Sequence, residues 1–169
     1  MLAASAGVAS AGGQAGSLGV GAEYQLSGLG GASLNYDAGQ FHVGGFFGFQ
    51  DPSGPDNTLL ELGARFYYHL HSTAMSDFGL GGNFGLASVP GGAMMNNRAT
   101  DVFLEPGFQI RVFLASNVAL SFSAGLVIGL IDAPNNVAVT GQGVGGNIVD
   151  FGGGAVVFNG GAGIHYYFF

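Results

Sequence analysis

Residues 58–71, TLLELGARFYYHLH, separate into two sets when read two at a time. Leu60, Leu62, Ala64, Phe66, Tyr68 and Leu70 make one set, and Glu61, Gly63, Arg65, Tyr67, His69 and His71 make the other. Successive side chains of a strand point to opposite faces, so this split predicts a strand with one apolar and one polar face; a helix would scramble the two sets. The same frame returns seven more times. The apolar sets are Leu18, Val20, Ala22, Tyr24 and Leu26; Ala32, Leu34 and Tyr36; and Phe41, Val43, Phe47 and Phe49. After residues 60–70 come Phe78, Leu80, Phe84 and Leu86, then Val102, Leu104, Phe108, Ile110, Val112 and Leu114. The last two are Val118, Leu120, Phe122, Leu126, Ile128 and Leu130, and Phe158, Ala162, Ile164, Tyr166 and Phe168.

No charged residue falls in any apolar set, whereas Glu23, Glu61, Arg65, Asp101, Glu105 and Arg111 all fall in the opposite ones. Such sorting has a physical cause where the apolar face meets lipid, because an Arg or Lys there costs roughly 2–4 kcal/mol near the bilayer middle. A soluble sandwich would cover its wetted face with Lys, Glu, Thr and Asp. Here the polar face is rich in glycine, of which the chain has 34, with a few scattered charges, and charged residues are only 8% of the total. That pattern predicts a narrow packed lumen, in which glycine lets coiled strands close a small barrel. Glycines and polar groups interrupt every hydrophobic stretch, so no transmembrane helix is expected. The expected fold is all-β, an eight-stranded antiparallel up-and-down transmembrane β-barrel over residues 17–169. Residues 1–16 precede it as a signal-peptide remnant, with Ala9-Ser10-Ala11 before Gly12 as the cleavage-like site, or as a flexible Gly/Ala tail.

Loop lengths give an orientation. Short connections are expected at 37–39, 72–77 and 115–117; the other side carries 51–57, 90–98 and 132–150, with only 28–31 short. Membrane barrels of bacteria have short periplasmic turns and longer extracellular loops, so both termini are expected on the periplasmic side. Tyr36, Phe41, Tyr68, Phe78, Tyr166 and Phe168 then gather at the turn level, where an aromatic girdle is expected.

On these strands, turns and girdles the sequence resembles the small eight-stranded outer-membrane barrels of the OmpA and OmpX type. The resemblance implies an outer-membrane location in a Gram-negative bacterium, with outer-membrane lipids around the barrel. It also implies a C-terminal assembly signal read by the outer-membrane insertion machinery, matched by Gly163, Ile164, Tyr166, Phe168 and the terminal Phe169. The alternate apolar set ends at Phe168, which leaves Phe169 inward or at the rim. Order at this aromatic terminus is expected from its pairing with the first strand.

The inward charges Glu23, Glu61, Arg65, Glu105 and Arg111 are the candidate site, a charge network in a lumen too narrow for an open channel. Glu23 and Glu105 are the expected partners of Arg65, with Glu61 a further candidate. His42, His69, His71 and His165 lie near the turn end without a carboxylate at ligand spacing, so no metal is expected. No Ser-His-acid arrangement is legible and no cofactor motif is present; residues 140–147, TGQGVGGN, lack the Lys and the strand-to-helix setting of a phosphate loop. Pro106 predicts a bulge at Pro106–Gly107. Three arginines and no lysine against ten carboxylates exclude a nucleic-acid partner. The expected role is a non-enzymatic structural or surface-interaction one through loops 51–57, 90–98 and 132–150, which could hold an extracellular ligand; the alternative is a narrow pore for water, ions or small solutes.

Overall fold

The structure, a computed structural model, describes residues 14–25, 29–51, 58–90, 98–131, 148–150 and 155–168. They form β1 (Leu18–Gln25), β2 (Gly30–Asp37), β3 (Phe41–Gln50), β4 (Leu59–Ser72), β5 (Ser76–Pro90), β6 (Arg98–Ala115), β7 (Val118–Ile131), β8 (Ile148–Asp150) and β9 (Ala155–Phe168). Each strand pairs antiparallel with its neighbour in sequence through β7, then β7 with β9. Closure comes from β1 and β9, whose register runs from Leu18↔Phe168 to Gln25↔Gly161. The eight long strands therefore make a closed barrel without a free sheet edge along this seam, and no helix occurs among the described residues. The three-residue β8 pairs with Ala155–Val157 of β9, beyond the point where β1 stops.

The apolar sets face outward as the alternation requires. Leu34, Phe47, Leu62, Phe84, Leu126 and Ile164 are all exposed, while the buried residues include Asp37, Glu61, Arg65, Asp77, Glu105 and Arg111. This inverts a soluble domain, and such an outer face suits hydrocarbon rather than water. At the turn end Tyr36, Phe41, Tyr68, Tyr166 and Phe168 are exposed, with Phe78 half-buried.

Several expectations need correction. The bulge is not at Pro106: Leu104↔Ile128 and Gly107↔Gly125 keep one count along β6 and β7, and Pro106 stays opposite Gly82 on β5. The ladder to β7 instead drops the pairs at Glu105 and Pro106, which accommodates the missing N–H without an extra residue. Register shifts occur between His69 and His71 on β4, and at Val102/Phe103 and Phe113/Ala115 on β6. The first of these sets His71 opposite the outward Phe78, so His71 is exposed rather than lumenal. Pro90 and Arg98, expected in a loop, close the β5–β6 ladder as a pair, and Ile148–Asp150, also expected in a loop, is β8. Residues 1–13, Leu26, loop residues 52–57, 91–97 and 132–147, and Phe169 lie outside the described residues.

The short turns are held locally. The Gly39 amide donates to Asp37 Oδ1 at 2.9 Å, and Gly39 adopts a φ of 91°. Residues ahead of β1 are tied to the same turn: Gly16 N donates to Asp37 O at 2.7 Å, and Asp37 N to Ser17 O at 2.9 Å.

Candidate functional site

The lumen holds large side chains because glycines on adjacent strands leave room for them. A Cβ at Gly19 would lie 2.7 Å from Tyr167 Cε1, one at Gly163 2.7 Å from Glu23 Cγ, and one at Gly85 2.6 Å from Phe103 Cζ. At Gly125 it would meet Pro106 O at 2.7 Å and Glu105 Cγ at 2.9 Å. The glycine face read in the sequence is therefore a set of seats for a filled interior, and the filling is mostly polar.

At the turn end Arg111 sits at the centre of one network. Its Nη2 makes ion pairs at 2.7 Å with both Asp37 Oδ2 and Asp77 Oδ2. Its Nη1 donates to Tyr167 Oη at 3.1 Å, and its Nη2 lies 3.1 Å from His69 Nε2. The arginine Cζ lies 5.5 Å from the Phe113 ring centroid and 6.0 Å from that of Tyr167. His69 Nδ1 is 2.8 Å from the Gly39 carbonyl, which can only accept, so the ring proton is on Nδ1. His69 Nε2 therefore offers one lone pair, toward His42 Nδ1 at 2.8 Å, with Arg111 Nη2 beside it.

Asp37 and Asp77 were missed as site residues because they close β2 and open β5, where an aspartate reads as a turn residue. The signal was present: both continue the inward parity of their strands, opposite to Tyr36 and Phe78.

Midway along the lumen Arg65 makes a bidentate pair with the two carboxylate oxygens of Glu23, and its Cζ lies 5.2 Å from the Phe46 ring centroid. Glu23 was an expected partner; Glu105 and Glu61 do not pair with Arg65. Glu105 instead accepts from Asn83 Nδ2 at 3.0 Å and from Asn159 Nδ2 at 3.5 Å, and Glu61 accepts from Gln25 Nε2 at 3.0 Å. Asn159 Nδ2 also donates to Gln25 Oε1 at 3.4 Å, which joins the two carboxylates through amides. Toward the loop end Phe46, Ala87, Phe103 and Val127 form a buried apolar cluster. A cavity of about 20 Å³ lies among Glu23, Arg65, Asn83, Glu105, Gln109 and Asn159. That is room for about one water.

One arrangement not legible in the sequence is Ser33, His165 and Glu23. Ser33 Oγ lies 2.6 Å from His165 Nε2, and Glu23 Oε1 lies 3.2 Å from that same nitrogen. A nucleophilic triad needs the acid on the opposite ring nitrogen, where it orients the imidazole. Here His165 Nδ1 is buried without a partner, and Ser33 is 4% exposed. The three residues therefore share one ring nitrogen and do not have the geometry of a triad.

Of the C-terminal set, Ile164, Tyr166 and Phe168 face outward and Gly163 faces Glu23 and Ser121 within the lumen.

A closed antiparallel eight-stranded barrel with a polar, filled interior and an apolar exterior has recognisable counterparts. The N-terminal β-barrel domain of Pseudomonas aeruginosa OprF is similar with a TM-score of 0.56 at 13% identity, over 90% of this chain and 98% of that one. The chain has the fold of the small outer-membrane barrels. Neisserial surface protein A is also similar, with a TM-score of 0.46 at 18% identity over 90% of this chain and 96% of that one. Comparison with protein-family models and with curated protein sequences gives no match.

Proposed function

We propose that the chain is an integral outer-membrane barrel of a Gram-negative bacterium, with both ends of the barrel wall on the periplasmic side. Its lumen is a structural plug, and its role is non-enzymatic: it presents the loop-end segments 51–57, 90–98 and 132–150 to an extracellular partner. The observation that carries this reading is the filling of the interior. The Arg111 network, the Arg65–Glu23 pair and the apolar Phe46–Phe103 cluster follow one another along the axis, and the cavity beside Arg65 and Glu105 holds only about 20 Å³. A chain of waters needs a continuous path, and an apolar constriction resists wetting. The Leu18↔Phe168 pairing puts the start of β1 and the end of β9 beside each other, at the end that carries the short turns, which supports the orientation.

Planar-bilayer recording of the refolded full chain tests the plug. A silent membrane is the expected result. Stable steps of conductance that scale with protein added would overturn the plug in favour of a narrow pore.

A further inference from the structure

The loop-side half of the lumen carries three buried or half-buried carboxylates, Glu23, Glu61 and Glu105, against one guanidinium, Arg65. Both oxygens of Glu23 are taken by Arg65, so that pair is electrically closed. Glu105 has no ion pair among the described residues, and its hydrogen bonds come from the neutral amides of Asn83 and Asn159. It is 4% exposed, where an uncompensated charge is costly.

The cavity beside Glu105 is lined by the amides of Asn83, Gln109 and Asn159 and the hydroxyls of Ser121 and Ser123, with Arg65 and Phe46 on the same wall. Asn83 donates its Nδ2 to Glu105 Oε2, which fixes the amide orientation and leaves Asn83 Oδ1 buried without a partner. Gln109, 3% exposed, likewise keeps Oε1 without a partner, and both residues line the cavity together with Ser121 and Ser123. Two unpartnered carbonyl oxygens on the wall of a cavity that also holds a carboxylate without an ion pair are hard donors.

We propose that this cavity binds one sodium-sized monovalent cation, ligated by the Glu105 carboxylate and the side-chain carbonyl oxygens of Asn83 and Gln109. The size and charge select the ion class. Calcium takes about 6–8 oxygens and usually several carboxylates, and magnesium keeps several waters; space for about one water and one free carboxylate suits neither. Among the described residues no group of three or more His, Cys, Asp or Glu is arranged for a metal, so a transition metal does not fit. Arg65 lines the same cavity, but its charge is answered by Glu23. The site is independent of what the loops bind.

The test uses the full chain folded in neutral detergent micelles. The urea midpoint is measured at about pH 8, where free glutamates are ionised, in sodium chloride and in choline chloride at equal ionic strength. A saturating rise of the midpoint is expected between about 5 and 500 mM sodium, absent with choline, as for any ligand that binds only the folded state. The rise should vanish in Glu105→Gln and persist in Asp51→Asn, whose carboxylate is exposed outside the lumen. Sodium-23 line broadening on the wild-type chain, above that of empty micelles and reversed by a competing cation, gives a readout that does not depend on the variant folding. Equal midpoints in the two salts, a sodium dependence that survives in Glu105→Gln, or no excess broadening would each overturn the site. Equal midpoints would assign the neutralisation of Glu105 to a proton.

Discussion

Arg65 and Arg111 are the two buried arginines among the described residues, and they are secured in different ways. Arg65 has a single carboxylate partner, Glu23, which joins β4 to β1 across the lumen. Arg111 reaches Asp37 on β2, Asp77 on β5, Tyr167 on β9 and His69 on β4 from its own place on β6. One cation thus ties five strands at the turn end, whereas the middle of the lumen has one closed pair, a cavity and two carboxylates held by amides. The turn end is the fastened end of this barrel; the slack, and the lumen carboxylates Glu61 and Glu105 that have no ion pair among the described residues, lie toward the loops.

The largest expected effect is therefore at Arg111. Removing one partner of a buried pair costs about 3–5 kcal/mol because the other charge is stranded, and Arg111→Met strands two aspartates. Arg65→Met strands only Glu23, which keeps His165 within 3.2 Å and has the cavity beside it, so a loss of about 1–3 kcal/mol is expected. Urea unfolding in micelles compares them; a larger loss for Arg65 would remove the distinction between the two ends. Double variants sharpen it. Arg65→Met with Glu23→Gln should recover most of the single loss, since the pair is closed. Arg111→Met with Asp37→Asn should recover only part, since Asp77 stays unpaired.

The difference between the two networks also marks what the sequence could and could not disclose. The outward sets on β2, β4 and β9 follow from parity alone, because a membrane-type barrel leaves side chains only two directions. Glu23 and Arg65 could be matched by counting along strands from the turns. Asp37 and Asp77 obey the same parity, yet their strand-end positions let turn chemistry explain them first. Contacts across the lumen, such as Gln25 with Glu61 and Asn159 with Glu105, depend on barrel closure and on which glycines leave room, and no local pattern encodes these. The register shift at His69/His71 was hidden for another reason. A bulge adds a residue without altering composition, so in the sequence the alternation runs on through His71.

Packing separates the ends by a smaller amount. A methyl at Gly19 would press on the Tyr167 ring, which is 1% exposed and bonded to Arg111, so the ring has nowhere to move. Overpacking of this kind costs about 1–3 kcal/mol for Gly19→Ala. A Cβ at Gly129, on the loop-side half of β7, meets nothing within 4 Å. Gly129→Ala should be neutral or raise stability by about 0.5 kcal/mol through lost chain entropy in the unfolded state. Equal destabilisation by the two alanines would mean that the loop side is packed as tightly as the turn end.

The smallest expected effect is at Arg98, the third cation of a chain with formal net charge −7. Arg98 opens β6 opposite Pro90, the last residue of β5 and one without an N–H to give the ladder. Pairing at this terminus constrains little of the barrel below it. Arg98→Ala removes the same unit of positive charge as Arg65→Met and Arg111→Met, so it separates the effect of net charge from that of position. Its midpoint should stay within about 0.5 kcal/mol of the parent, as for most substitutions away from a packed or charged interior. Raising the salt concentration tightens the comparison, because screening acts on exposed charges far more than on buried pairs. If Arg98→Ala falls as far as Arg65→Met at low salt and recovers at high salt, long-range repulsion among the carboxylates governs stability, and the distinction between a fastened turn end and a slack loop end loses its energetic basis.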